Sequence, residues 1–383
     1  MRDVAIIGVG QVSVSEHWET SLRDLAYQSI KKAVSDSGIS HVDALYVGNM
    51  LAGELSGQEH LGALISDYCG FNGIEAIRVE AAAASGGAAL RQGFLSVASG
   101  ANDCVVVNGV EQMTDVLQEK VTAGLSLASD TEYELSSGIS LTALFAMLTK
   151  RYLFEGCCTP EDLAEFCVNA QKNGVGNEYA MFRRAVNAET ILRSPVVSEP
   201  IRALECPPVC DGSASVVLAP LEEYRNEVDC EPVKITGSAV ATDTIGLDNR
   251  EDPLVFKSVR ESTKKALKMA SRTVKDIDFY ELHDLFPITA ALSLEASGFA
   301  KKGEGALLAR EGEIALDGKI PTTTMGGCKA RGNPVGACGV YQAVEAALQL
   351  RKEAEQNQIE CEVGMIQCIG GTAATAITHI MEV

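Results

Sequence analysis

The sequence predicts an α/β protein made of two similar halves. Three observations predict it. Short apolar runs alternate with stretches of helical spacing. The order of these elements returns in the second half of the chain. The length of 383 residues, 46% of them hydrophobic, is enough for one large domain or two packed ones.

The elements follow in order. Residues 4–7 read as a short buried strand. Gly8-Val9-Gly10 comes next, but the third glycine of a dinucleotide fingerprint is replaced by Ser13, and Gln11-Val12-Ser13-Val14 looks extended. A tight turn at the strand end is therefore expected there. Leu22, Leu25, Ala26, Ile30, Ala33 and Val34 recur at helical spacing, and Gly38 closes that helix. Residues 44–47 form a second strand, 88–97 a helix and 104–108 an apolar strand.

The pattern then repeats. Lys264-Lys265-Ala266-Leu267 opens into Ile277-Asp278-Phe279-Tyr280, as Lys31-Lys32-Ala33-Val34 opens into Val42-Asp43-Ala44-Leu45. A helix at 340–350 precedes a strand at 363–367, as 88–97 precedes 104–108. Duplication accounts for both, with halves at 1–230 and 231–383. A less regular region, about 115–200, interrupts the first half. It contains a marked helix start at Thr159-Pro160-Glu161-Asp162, with a capping hydroxyl, proline in the first turn and two acids at the positive end of the dipole. Long insertions of this kind cover binding sites or oligomer contacts.

Composition excludes some functions. A formal charge of -20 argues against nucleic acid or an anionic membrane as partner, while leaving room for an anionic small ligand in a local basic pocket. No apolar run reaches spanning length and the start is too short for a signal peptide, so a soluble, cytoplasmic protein is expected. The twelve cysteines form no Cys-x-x-Cys pair, and none of the five histidines is spaced with them for zinc. Buried reduced thiols and no metal are the expectation.

Six stretches carry the chemical signal. They are Val79-Glu80-Ala81-Ala82-Ala83-Ala84-Ser85-Gly86-Gly87, Asn108-Gly109-Val110-Glu111-Gln112-Met113-Thr114, Pro208-Val209-Cys210-Asp211-Gly212-Ser213-Ala214, Glu281-Leu282-His283-Asp284-Leu285-Phe286, Gly326-Gly327-Cys328-Lys329-Ala330-Arg331-Gly332-Asn333-Pro334-Val335-Gly336-Ala337-Cys338-Gly339 and Cys368-Ile369-Gly370-Gly371. Together and in this order they resemble the thiolase superfamily, in particular its archaeal and sterol-carrier-type branch. The resemblance implies a duplicated five-layer αβαβα fold. It implies cleavage or formation of a carbon–carbon bond beside a coenzyme A thioester, with coenzyme A as substrate and no covalently bound cofactor. It also implies a homodimer or tetramer, and often a small zinc-ribbon/OB-fold partner chain that helps bind coenzyme A.

Such chemistry must stabilise an enolate oxygen and move a proton on and off carbon. In the family the turn cysteine carries the acyl group, and here Ala83 stands in its place. The activating histidine is replaced by Asn333, whose amide donates a hydrogen bond but takes no proton near neutral pH. His283 keeps a donor role and Cys368 the proton-exchange role. Leu285 replaces the cysteine of the family's His-Asp-Cys-Phe motif. Gly370, Gly371 and the backbone at 85–87 are expected to supply N–H donors. Lys329 and Arg331 either meet coenzyme A phosphates or are solvated, and Cys338, usually threonine, is expected to pack.

Two accounts explain the missing nucleophile. Ala83 is an inactivating replacement in an ordinary acetoacetyl-CoA thiolase, or the Cys/His pair is absent by nature and Ala83 and Asn333 explain each other. The second leads to direct attack by coenzyme A on a β-keto carbonyl, on a bulky or aromatic substrate such as 2-benzoylsuccinyl-CoA, or to a thiolase-like retro-aldol lyase. A non-catalytic scaffold that binds acyl-CoA is the alternative from outside enzymology; retention of His283 and Cys368 argues against it.

Overall fold

A computed structural model describes residues 2–224 and 231–383. The boundary expected at 230/231 adjoins residues 225–230, which lie outside the described residues. The first half runs β1 (Val4–Gln11), α1 (Leu22–Ser37), β2 (Ala44–Gly48), α2 (Leu61–Tyr68), β3 (Glu75–Val79), α3 (Ser85–Ser99) and β4 (Val105–Glu111). The insertion follows as α4 (Gln118–Ser126), α5 (Leu141–Phe154), α6 (Pro160–Gly174), α7 (Ala188–Leu192) and a small hairpin, β5 (Val196–Ser198) and β6 (Ile201–Arg202). β7 (Gly212–Pro220) and α8 (Leu221–Tyr224) end the half. The second half runs β8 (Val233–Thr242), α9 (Lys257–Ala270), β9 (Phe279–Glu281), α10 (Pro287–Ser297), α11 (Gly305–Arg310), α12 (Gly327–Ala330), α13 (Cys338–Leu350), β10 (Val363–Gly370) and β11 (Thr375–Glu382).

The duplication is visible in the strand order, β3-β2-β4-β7-β1-β8-β11-β10-β9. Read outward from the centre, β1-β7-β4-β2 on one side matches β8-β11-β10-β9 on the other. The sense of pairing matches too: β2 and β4 are parallel, as are β9 and β10, while β4·β7 and β10·β11 are antiparallel. The counterpart of β3 is reduced to a single parallel bridge between Tyr280 and Thr322. β1 and β8 join the halves through only two residue pairs, Ala5 with Lys234 and Ile6 with Val233.

The layers form because each sheet half is apolar on both faces. α1 and α2 cover the outer face of the first half, and α9 and α10 lie outside the second. α3 and α13 lie between them and pack on both, which makes five layers, αβαβα. These central helices meet backbone to backbone. A Cβ on Gly86 would sit 2.9 Å from the Gly336 carbonyl oxygen, and one on Gly339 would sit 2.2 Å from the Gly87 nitrogen. Side chains there would push the two helix starts apart.

Two local expectations are corrected. Gly8-Val9-Gly10 is not a turn but the second part of β1. The reason for glycine is packing, since a Cβ on Gly10 would lie 2.4 Å from the Ser29 carbonyl oxygen of α1. The insertion is more regular than expected. Thr159 does cap α6, with Asp162 completing a capping box. Among the described residues no helix is long and apolar enough to cross a membrane.

One buried histidine links β11 to the start of α3. His379 Nε2 lies 3.1 Å from the Gly87 carbonyl oxygen, and burial pushes its pKa down to about 4. An unfolded histidine titrates near 6.5, so below that pH the unfolded chain binds a proton that the folded chain refuses. This contribution is full above pH 6.5 and is lost as the pH falls toward 4. Relative to a His379→Gln variant, the protein is expected to lose about 2 kcal/mol between pH 7 and pH 5. Urea unfolding of both proteins at the two pH values measures the difference.

Candidate active site

The two central helices both begin at one place, and that place is the site. The turn before α3 carries Ala83. Ala82 adopts a left-handed conformation (φ 51°), and Ser85 holds the turn by accepting from the Ala81 N–H (3.0 Å) and donating to the Ala82 carbonyl (2.6 Å). The loop before α13 carries Asn333. Two helix N-termini converging here give a positive local potential without any cationic side chain.

A cavity of about 390 Å³ opens onto both. Its wall includes Ala83, Asn333, Gly371, Leu285 and Phe286, and the insertion adds side chains from α4, the start of α5 and β5. The insertion thus forms part of the cavity wall. Ala83 is 7% exposed and presents only a methyl group.

Asn333 has a fixed orientation. The Cys338 thiol donates to its Oδ1 at 2.8 Å, and the Cys328 thiol approaches the same oxygen at 3.8 Å. Burial pushes the Cys328 pKa well up, so this thiol stays protonated and a donor. With the carbonyl side occupied, the amide N–H₂ is the part of Asn333 left for the cavity. His283 is buried and accepts from the Ile369 N–H through Nδ1 (3.3 Å), so its neutral ring carries hydrogen on Nε2. Among the described residues that Nε2 has no hydrogen-bond partner. A ring nitrogen of His283 and the sulfurs of Cys328 and Cys338 lie within 4.8 Å of one another, a set of donors that a soft metal ion would accept and that no sequence spacing announced.

Cys368 lies deeper, packed against Ala84. Its thiol donates to Gln342 Oε1 at 2.9 Å, and burial pushes its pKa up, which makes it an acid rather than a base. Gly371 reaches the cavity wall, whereas Gly370 faces the Ala81 carbonyl. The backbone donors expected at 85–87 are partly used: the Ser85 N–H bonds to Ala82, and the Gly87 N–H faces Cys368.

Lys329 and Arg331 are corrected outright. Both are buried, at 2% and 1% exposed, so neither is solvated and neither faces a phosphate at the surface. Lys329 donates to the Leu285 carbonyl and lies over the Phe286 ring. Arg331 lies 3.2 Å from Glu345 and over the Tyr341 ring. The segment is a core element, and its charges are spent inside the fold.

Sequence reasoning missed four contributors. Cys338 was expected only to pack, and Cys328 had no role. A signal existed, since they flank Asn333 at five residues on either side. Glu111 was quoted without a function. It accepts from Asn49 Nδ2 and from the N–H groups of Met50, Leu51 and Gly336, and so ties the Asn333 loop to β2 and β4. Burial pushes its pKa up to about 7. Asp211 likewise accepts from the N–H groups of Met113 and Thr114, which joins two of the motifs.

Residues 4–222 match the thiolase N-terminal domain, and residues 239–383 match the thiolase C-terminal domain-like family. The chain belongs to the thiolase family. It is 43% identical, over all of both chains, to an acetyl-CoA acetyltransferase of Methanothermobacter thermautotrophicus. It is 31% identical to the benzoylsuccinyl-CoA thiolase subunit BbsB of Thauera aromatica, over 97% of this chain and 95% of that one. Among solved structures it is similar to the Ltp2-ChsH2(DUF35) aldolase, with a TM-score of 0.86 and 20% identity over 99% of this chain and 97% of that one. Thiolases are acyl-CoA acyltransferases that use coenzyme A as substrate, and this chain is an enzyme of that class.

Proposed function

We propose that this thiolase cleaves a β-ketoacyl-CoA with free coenzyme A, or runs the reverse condensation, without an acyl-enzyme. The observation that carries the reading is the pairing of Ala83 with a locked Asn333 on one cavity wall. The nucleophile and its base are both gone, yet the groups that would stabilise charge remain. In cleavage the sulfur of coenzyme A bonds to the β-carbonyl carbon. The carbon–carbon bond then breaks, and its electron pair becomes the enolate of the departing thioester. Asn333 Nδ2–H, His283 Nε2–H and the Gly371 N–H are the donors assigned to the developing oxyanions. Coenzyme A attacks as its thiolate, having released the thiol proton to solvent, and Cys368, held protonated, then gives its proton to the α-carbon and is reprotonated from solvent.

Since Lys329 and Arg331 are buried, the phosphates of coenzyme A need other partners. A small zinc-ribbon/OB-fold chain is the partner proposed for them, and the aldolase neighbour, named with a DUF35 component, supports it. A homodimer is proposed as well. Strand β3 pairs only with β2 among the described residues, and its Ile77 is exposed. A cytoplasmic location fits such an enzyme.

A retro-aldol cleavage is the second reading, favoured by the same lack of an acyl carrier. One assay separates the readings. The protein, Ala83→Cys and Ala83→Cys/Asn333→His are given β-ketoacyl-CoA thioesters with and without free coenzyme A, in the presence of a zinc-ribbon partner. Direct attack predicts turnover by the unaltered protein that requires free coenzyme A, and no acyl adduct by mass spectrometry. Cleavage of a β-hydroxyacyl-CoA, supplied in place of the β-keto thioester and without coenzyme A, to a carbonyl compound and a shorter acyl-CoA indicates the lyase. Turnover only in the cysteine variants marks Ala83 as an inactivating replacement. Binding with no turnover by any of them leaves the scaffold.

A further inference from the structure

We infer that the acyl group this cavity takes is uncharged. The inference rests on the proposed thiolysis and deepens it. Among the described residues, no side chain on the cavity wall carries a charge. Leu125, Leu141, Val197, Val209, Phe286 and Val335 supply an apolar surface. The polar groups there are hydroxyls and amides, such as Ser140, Thr142 and Gln118, which serve a carbonyl or hydroxyl but carry no counter-charge.

Lys329 packs against two wall residues without joining the wall itself. Lys329 lies behind the wall, with its ammonium donating to the Leu285 carbonyl and covered by the Phe286 ring. A carboxylate on the acyl chain would have the Phe286 ring between itself and that charge. It would give up its water for neutral hydroxyl and amide contacts with no cationic side chain among them, and burying an unpaired carboxylate is costly. A neutral branched, aromatic or medium-chain acyl group loses nothing polar on entry and gains apolar contact. The volume of about 390 Å³ lies within the usual range for small organic ligands, about 300–1,000 Å³. The inference therefore turns against 2-benzoylsuccinyl-CoA, which has a free carboxylate.

The test uses two thioesters of equal size, 2-benzoylsuccinyl-CoA and the analogue with a carboxamide in place of the carboxylate. Cleavage and equilibrium binding are measured for both, with the zinc-ribbon partner present. The carboxamide is expected to exceed the carboxylate by on the order of 100-fold in kcat/KM and in affinity. Thr142→Arg, which adds a cation to the wall, is expected to shrink that preference at least about tenfold. Equal or better use of the carboxylate by the unaltered protein overturns the inference. If neither thioester is cleaved, the thiolysis fails, and the binding ratio still decides the acyl preference: about 100-fold upholds it, and parity overturns it.

Discussion

Asn333→Asp is expected to lower kcat for cleavage by about 10²–10³-fold with little change in KM. The loss is that of one oxyanion donor from a desolvated site. The Cys338 and Cys328 thiols still find an acceptor in the carboxylate, but neutral thiols do not balance a buried charge, so the unfolding midpoint is expected to fall as well. What changes is the face toward the cavity, where an N–H becomes a negative oxygen that repels the enolate. Cys338→Val should cost activity by freeing the amide to turn, and Cys338→Thr should restore most of it, since a hydroxyl also donates. Steady-state kinetics beside urea unfolding reads both. A variant Asn333→Asp that keeps kcat within tenfold would show that the amide is not the donor.

The second large effect concerns stability. Arg331→Met is expected to destabilise the protein by about 3–5 kcal/mol, because it strands buried carboxylates. Glu345 faces the guanidinium, and Glu281 lies within reach of its charge. Burial pushes both carboxyls up, and Arg331 pulls both back. Without the arginine, the Glu345 pKa rises further above its unfolded value. The penalty of the variant therefore grows as the pH rises through about 8, where burial has already placed the Glu345 carboxyl of the unaltered fold, since above that pH the unaltered fold can ionise this acid and the variant fold cannot. Arg331→Met/Glu345→Leu should recover most of the loss, because an apolar pair of similar volume replaces a buried ion pair at little cost. Urea midpoints of the two single variants and the double variant give the coupling.

Much of the fold was legible because periodicity reports local geometry. Leu22 through Val34 repeated at helical spacing and became α1, closed by Gly38 in a left-handed conformation. Thr159 to Asp162 announced a cap, and the cap is there. The glycines of β1 misled because a glycine demanded by a neighbouring helix looks, in sequence, like one demanded by a turn. Ala83 and Asn333 were found by motif, and both stand on one cavity wall. Lys329 and Arg331 were misread because charge in a sequence predicts solvent, and only packing reveals a buried Arg331–Glu345 pair. The hold of Cys338 on Asn333 was invisible for a related reason, since sequence shows that a thiol is present but not where it points.

The glycine contact between α3 and α13 has one more consequence. Together with the Ser85 and Glu111 side chains it fixes the separation of positions 83 and 333, so neither residue 83 nor residue 333 has to hold the scaffold in place. Chemistry at the two positions is thereby uncoupled from folding. A lineage built on this frame can exchange a ping-pong cycle for a sequential one by two substitutions, with no penalty from the architecture that displays them. The duplicated frame is evolvable at its reactive centre because its rigidity resides elsewhere.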